Sequence, residues 1–297
     1  MNETLKQKEL WELGDSSAVN EYNNIRFAKD KFAAGKAWLL TKKPEVDLEC
    51  PKNLVDIICK YKYEDLNPLK PAWADKIGVY QRLYDMGLEE LHIPMVGEYE
   101  KYWYKPTRKE IEEVVKIALS QDFPCIIKCN HGSGWNVKVN PAEPINLQFL
   151  VDKLDEWLHT NYAYIAGYEW QYEAIVPGLL IQPLYEERPI DWQFYCNDGN
   201  IVAVDIQRKF GKSYVENLAF VDADGNKLDW YIGSTPTMDN LNSSMKSIIH
   251  QMTPYVQKIS SQFKFVRVDL FHTPESEIKF CEATFAPCSG ILDLTRR

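Results

Sequence analysis

A chain of 297 residues with 45% apolar side chains can bury a sizeable core and is long enough for two or three subdomains. Its 34 basic and 43 acidic residues leave a formal charge of −9, which opposes non-specific binding to a phosphate backbone and excludes nucleic acid as an expected partner. The apolar run from Ala174 to Ile181 holds Pro177 and Gly178 and falls far short of the roughly 20 residues of a spanning helix, so no membrane span is expected. The first residues alternate acidic and basic and have no apolar stretch of secretory type, which leads to the expectation of a cytoplasmic protein. Seven cysteines without a CxxC pair, and five histidines without ligand-like spacing, are expected to be reduced and free of structural zinc.

In chain order, residues 16 to about 43 have a helical apolar period through Phe27, Phe32, Ala33, Trp38 and Leu39, and a second helix is expected over 52–62. The segment 65–73, with Pro68 and Pro71, reads as a connection and sets a boundary near residue 72. A helix is expected over 75–86, a strand and turn over 92–99, and a helix over 107–119 that opens with a capping box from Thr107 to Glu110. The period then shortens: 123–130 reads as a strand, 131–134 as a turn and 135–139 as the returning strand. Beyond a helix over 147–158, strands are expected at 178–185, 191–198 and 200–209, then a helix near 240–262. Two closing strands, 265–271 and 277–285, should pair antiparallel across the turn His272–Ser276.

Chemistry enters at Lys128, which stands near the end of a strand and is followed by a tip holding Gly132 and Gly134. Glycines allow backbone N–H groups to approach anionic oxygens, and a lysine adds a point charge. The same residues also suit an ordinary hairpin turn with a surface lysine. In the strand 265–271, Arg267 and Asp269 share one face by alternation, and in the next strand Glu282 and Thr284 share another, so two carboxylates can converge as hard ligands for Mg²⁺. They could equally be rim carboxylates of a half-solvated sheet. Asp191, Arg208 and Lys209 lie at strand ends, where solvated charges are usual. His131 could assist proton transfer or simply shape its loop. The aromatics of 99–104, with Trp157, Tyr162, Tyr164, Tyr168, Trp170 and Tyr172, suit sugar stacking or core packing.

The order of these segments adds to their separate weight. Asp75–Lys76, Ile93–Pro94, KCNHGSG (128–134), LLIQPLYEE (179–187), DWQF (191–194), QRK (207–209), VRVDL (266–270) and EATFAPCSG (282–290) resemble the ATP-grasp superfamily, and within it the TupA-like family of teichuronopeptide biosynthesis. The resemblance covers about residues 72–297 and is carried by KCNHGSG, VRVDL and EATFAPCSG. It implies an α+β ATP-grasp fold in which two sheet-containing subdomains, 72–180 and 181–297, hold ATP between them and follow a helical N-terminal region, 1–71. Lys76 and Lys128 would hold ATP phosphates under a loop of His131, Gly132, Ser133 and Gly134. Gln182, Pro183 and Leu184 would meet the adenine and Asp191 the ribose. Asp269 and Glu282 would bind Mg²⁺, with Thr284 standing where many ATP-grasp enzymes have asparagine. Arg267 would stabilise a phosphorylated intermediate, and Arg208 or Lys209 would approach the γ-phosphate. Gln193 replaces the lysine of the family's DYKF pattern.

The implied reaction is ATP-dependent ligation of a carboxylate to an amine through an acyl phosphate. By the resemblance, the carboxylate belongs to a uronic acid, free as a small molecule, in a nucleotide sugar or in a surface polysaccharide such as a capsule, and the amine to an amino acid or small amino alcohol. A kinase using the same ATP site, and a non-catalytic binding module, remain as alternatives. The oligomeric state is left open.

Overall fold

The computed structural model describes residues 16–96, 105–185, 190–210, 214–232, 236–273 and 275–296, with the backbone alone for Ser16, Lys209, Phe210, Tyr214, Val215, Thr295 and Arg296. The aromatic segment 99–104 lies outside the described residues, as does the end of the segment 179–187. Two compact units emerge: one gathers the described residues within 1–68, 164–169 and 188–297, the other those within 69–163 and 170–187. These units divide the chain at other places than residues 72 and 181. The boundary near residue 72 is read from local turn chemistry, whereas compactness depends on contacts between residues distant in sequence.

The first unit begins with α1 (Ser16–Arg26) and α2 (Lys31–Lys42), where the period alone predicts one helix. Asp30 makes the break: its backbone is extended and its carboxylate accepts from the Ala33 N–H at 2.9 Å, capping a new helix. Trp38 Nε1 on α2 donates to Glu21 Oε2 on α1 at 2.7 Å. Helix α3 (Leu54–Glu64) starts at the Asn53 cap, slightly later than expected. Its buried Leu54 and Ile58 join Tyr195, Ala203, Phe220, Phe265 and Leu292 in one apolar cluster.

The second unit opens with α4 (Lys70–Ala74), a short helix where a plain connection is predicted, because Pro71 sits in its first turn and costs no intrahelical bond there. Helix α5 (Val79–Asp85) begins later than Asp75, since the Asp75 carboxylate accepts from the Ile77 N–H at 2.9 Å and holds a turn. The described part of the predicted strand 92–99 forms none. Pro94 removes a ladder donor, and Val96 N–H alone reaches Ile181 O, at 2.8 Å. Helix α6 (Arg108–Leu119) has the expected capping box between Thr107 and Glu110. Strands β1 (Cys125–Cys129) and β2 (Asn136–Val139), helix α7 (Leu147–His159) and strand β3 (Leu179–Pro183) complete the unit. The sheet runs β2-β1-β3, antiparallel throughout, and α6 and α7 pack on each other and on β1.

The chain then builds the larger sheet of the first unit: β4 (Ile190–Asn197), β5 (Asn200–Phe210) and β6 (Tyr214–Val221), then β7 (Trp230–Ile232), α8 (Ser243–Ser260), β8 (Phe265–His272), β9 (Ile278–Thr284) and β10 (Leu294–Arg296). Five strands run in the order β6-β5-β4-β8-β9, each pair antiparallel, while β10 pairs with β7. The β4–β5 hairpin turns at Asp198 and Gly199, with φ of 47° and 76°, as a tight primed turn demands. Strands β6, β7 and β10 are additions to the expected set. The last two are three residues each, too short to show a period.

Within the first unit, the segment 164–169 is held by buried donors. Lys62 Nζ donates to Ala166 O at 2.8 Å and to Ser289 O at 2.9 Å, and Tyr63 OH to Gly35 O at 2.8 Å and Gly167 O at 2.6 Å. Gly167 has φ of +64°, and a Cβ there would stand 2.1 Å from Trp38 Cε3. Overpacking and left-handed strain therefore add at one position. Gly167→Ala is expected to lower stability by about 3 kcal/mol or more. An unchanged urea midpoint would show that this packing is not what holds the segment.

Candidate functional site

In the second unit, β1 alternates buried Cys125, Ile127 and Cys129 with less buried Ile126 and Lys128, so Lys128 is presented beside the tip that β1 and β2 close. The tip is shaped by sterics. A Cβ on Gly132 would meet Trp135 Cε3 at 2.6 Å and Tyr162 Cδ2 at 2.9 Å, and Gly134 has φ of +74°. Trp135 is stacked on Trp157 at 6.2 Å and sits edge-on to Tyr162 at 5.1 Å. This places Trp157 and Tyr162, from the aromatic set, in packing.

Lys76 Nζ donates to the Gly132 carbonyl, which joins two segments far apart in sequence. His131 is buried, with Nδ1 3.2 Å from Asn130 Oδ1 and Nε2 3.2 Å from Trp157 O. Desolvation pushes its pKa down to about 4, and Lys76 adds to the shift. A neutral ring donates to only one of its two acceptor neighbours. On β3, Gln182 is buried, donates to Tyr80 OH and leaves Oε1 without a partner among the described residues; Pro183 ends the strand, and Leu184 N–H donates to Pro124 O at 2.9 Å. An orphaned acceptor in the segment expected to meet adenine fits a base with an exocyclic amine donor.

In the first unit, strands β8 and β9 pair antiparallel with Asp269 directly opposite Glu282 and Arg267 opposite Thr284. Cross-strand partners share a face, and here they close into one cluster. Arg267 Nε donates to Asp269 Oδ1 at 2.7 Å and Nη2 to Oδ2 at 2.6 Å. The same Nη2 reaches Glu282 Oε1 at 3.3 Å and Thr284 Oγ1 at 3.4 Å, and Thr284 Oγ1 donates to Glu282 Oε1 at 3.2 Å. Burial favours losing the guanidinium proton, but Asp269 above all, then Tyr195 and Glu282, outweigh it and hold the Arg267 pKa well above its ordinary value.

The register extends this polar face across β4 and β5. Gln193 stands between Asp269 and Asp205, and Asp191 opposite Gln207. Sequence reasoning missed Asp205. It is fully buried and accepts from Asn217 Nδ2 at 2.9 Å and from Gln207 Nε2. Its signal was a carboxylate interrupting the apolar run of β5 in phase with Gln207. Tyr195 was missed too; its OH is buried without a partner among the described residues, and its ring lies 6.0 Å from Arg267 Cζ. Arg208 stands apart: alternation sets it on the opposite face from Asp205, and it pairs with Glu216 at 3.4 Å. The Lys209 side chain lies outside the described residues.

Asp269, Glu282 and Thr284 offer hard oxygens, the donor type that Mg²⁺ prefers. Among the described residues no group of three or more His, Cys, Asp or Glu side chains could by itself hold a metal ion. Two carboxylates still suit Mg²⁺, which commonly takes one or two from the protein and completes its shell with phosphate oxygens and water. No described helix is long and apolar enough to cross a membrane.

The family model for TupA-like ATP-grasp proteins matches residues 59–297. No curated protein matches the chain. Solved structures include D-alanine–D-alanine ligase from Helicobacter pylori, 18% identical over 73% of this chain and 55% of that one, with a TM-score of 0.40. The biotin carboxylase domain of 2-oxoglutarate carboxylase from Hydrogenobacter thermophilus, in complex with MgADP, ADP and bicarbonate, is 15% identical over 72% and 40%, with a TM-score of 0.37. N5-carboxyaminoimidazole synthase from Aspergillus clavatus, in complex with ADP and 5-aminoimidazole ribonucleotide, is 12% identical over 72% and 44%, with a TM-score of 0.38. The chain spans 40% to 55% of the length of these three proteins.

The buried imidazole sets a pH dependence. His131 is neutral in the fold down to about pH 4 but protonates near its ordinary 6.5 when unfolded. The unfolded chain therefore binds more protons between these values, and stability falls as pH drops from 6.5 to 4, by up to roughly 3 kcal/mol from this group. Urea unfolding across that range should show a slope that His131→Gln flattens. Equal slopes would mean that the ring is protonated in the fold.

Proposed function

Because the chain belongs to the TupA-like ATP-grasp family and has its α+β fold, we propose that it is an ATP-dependent ligase joining a carboxylate to an amine. The observation that supports this most is the Arg267–Asp269–Glu282–Thr284 cluster, buried at Arg267 and Asp269 and half-buried at Glu282 and Thr284, which puts two carboxylates and a guanidinium on one sheet face. Lys76, Lys128 and the loop His131–Gly134 serve the ATP phosphates with ammonium and backbone N–H donors. Gln182 to Leu184 serve the adenine and Asp191 the ribose, while Asp269, Glu282 and Thr284 supply the oxygens for Mg²⁺. The ion, when bound, neutralises phosphate charge and polarises the transferring phosphoryl group.

In the reaction, an oxygen of the acceptor carboxylate attacks the γ-phosphorus and the bond to ADP breaks, giving an acyl phosphate. The amine nitrogen then attacks the acyl carbon, phosphate leaves, and the amine loses a proton to solvent. Arg267 holds a fixed positive charge near the phosphorylated intermediate, with no cost of reorganisation as charge develops. Asp269 and Glu282 orient that charge through their hydrogen bonds. We assign the carboxylate to a uronic acid, as a nucleotide sugar or in surface polysaccharide such as a capsule, and the amine to an amino acid or small amino alcohol. A cytoplasmic location matches the supply of ATP.

Thermal unfolding of the wild type and of Asp269→Asn, each with and without Mg-ATP, tests the site. A ligand bound only by the folded state adds about 2.7 kcal/mol at a hundred times its Kd. A magnesium-dependent rise of a few degrees in the wild type that shrinks in the variant is expected, and no rise at millimolar Mg-ATP overturns the reading. Uronic acids screened with amines should then release free phosphate with ADP. ADP formed without free phosphate would instead mark a kinase.

A further inference from the structure

Asn130 lies inside the segment 128–134 but has no part in the roles given above. Both donor hydrogens and the acceptor oxygen of its side chain are engaged. Nδ2 donates to Asp75 Oδ1 at 2.9 Å and to Val176 O at 3.0 Å, while Oδ1 accepts from Gly178 N–H at 2.6 Å and faces His131 Nδ1 at 3.2 Å. Its backbone N–H donates to Gly178 O at 3.1 Å, and its backbone carbonyl accepts from Lys76 N–H at 3.2 Å. One buried residue thus joins the end of β1, the segment before β3 and the Asp75–Lys76 pair.

The consequence falls on Lys76. Asp75 is clamped by Asn130 Nδ2, the Lys76 backbone by Asn130 O, and the Lys76 ammonium then reaches the Gly132 carbonyl. Asp75 and Asn130 also line a cavity of about 260 Å³.

We propose that Asn130 is a positioning residue of the nucleotide site, setting Lys76 against the glycine loop so that its ammonium is placed for a phosphate. The proposal rests on the reading of Lys76 as a phosphate-binding group. Asn130 acts through Lys76 and touches no nucleotide itself.

A double-mutant cycle separates this from a purely structural role. Mg-ATP affinity is measured by calorimetry for the wild type, Asn130→Ala, Lys76→Ala and the double variant, with circular dichroism confirming that each is folded. Asn130→Ala is expected to weaken binding about tenfold or more in the wild-type background and less than twofold in the Lys76→Ala background. An equal loss in both backgrounds, or no loss in the first, overturns the proposal. If Asn130→Ala does not fold, Asn130→Ser, which keeps a neutral polar group at the position, carries the same cycle with the same criteria. A wild type that does not bind Mg-ATP would remove the nucleotide-site reading first, and this proposal with it.

Discussion

The constraint on which the larger sheet depends is the burial of charge on one of its faces. Along β8, alternation turns Val266, Val268 and Leu270 one way and Arg267 and Asp269 the other, yet every one of these residues is buried. A buried carboxylate without a cation costs several kcal/mol, so Arg267 has to answer Asp269 with both arms of its guanidinium and still reach Glu282. The antiparallel register makes this possible, because it brings Glu282 and Thr284 directly across from Asp269 and Arg267. Further along the same face, Asp205 has neutral amide partners, Asn217 and Gln207.

The smaller sheet solves a different problem, the presentation of backbone groups at a hairpin tip. Trp135 and Tyr162 crowd Gly132 so closely that no side chain fits, which leaves the loop backbone bare. The same aromatic packing buries His131, and desolvation keeps its imidazole neutral. A loop shaped this way gets its polarity from carbonyls and N–H groups, with Lys76 as the ammonium bonded to it. Asn130 extends the β1–β3 pairing by one residue, using a side-chain amide where the ladder has a backbone carbonyl.

Beyond β9 the chain passes through a turn at Pro287–Gly290, where Cys288, Ser289 and Gly290 all take left-handed backbone angles of 49°, 57° and 84°. Glycine takes such angles freely, but at Cys288 and Ser289 they are strained and persist only where the surroundings impose them. Here Lys62 donates to Ser289 O, Cys59 Sγ to Gly290 O and Ser289 Oγ to Glu169. Desolvation lowers the Lys62 pKa to about 8, which Glu169 partly opposes. Two residues of α3 and one of the segment 164–169 thereby pin the turn that follows the strand carrying Glu282 and Thr284.

Much of the local structure was legible in the sequence because it depends on nearest neighbours. The capping box of α6, the β1–β2 hairpin, the Asp198–Gly199 turn and the pairing of β8 with β9 follow from spacing and turn chemistry alone. So does the sharing of one face by Arg267 and Asp269. The split between α1 and α2 was written in Asp30 but masked by an apolar period that runs through it. What only the tertiary structure decided was which distant groups meet: Arg267 with Glu282 and Thr284, Lys76 with Gly132, Asn130 with Asp75, and Asp205 with Asn217. Periodicity places a side chain on a face, but register, burial and the need to satisfy every buried charge determine its partner.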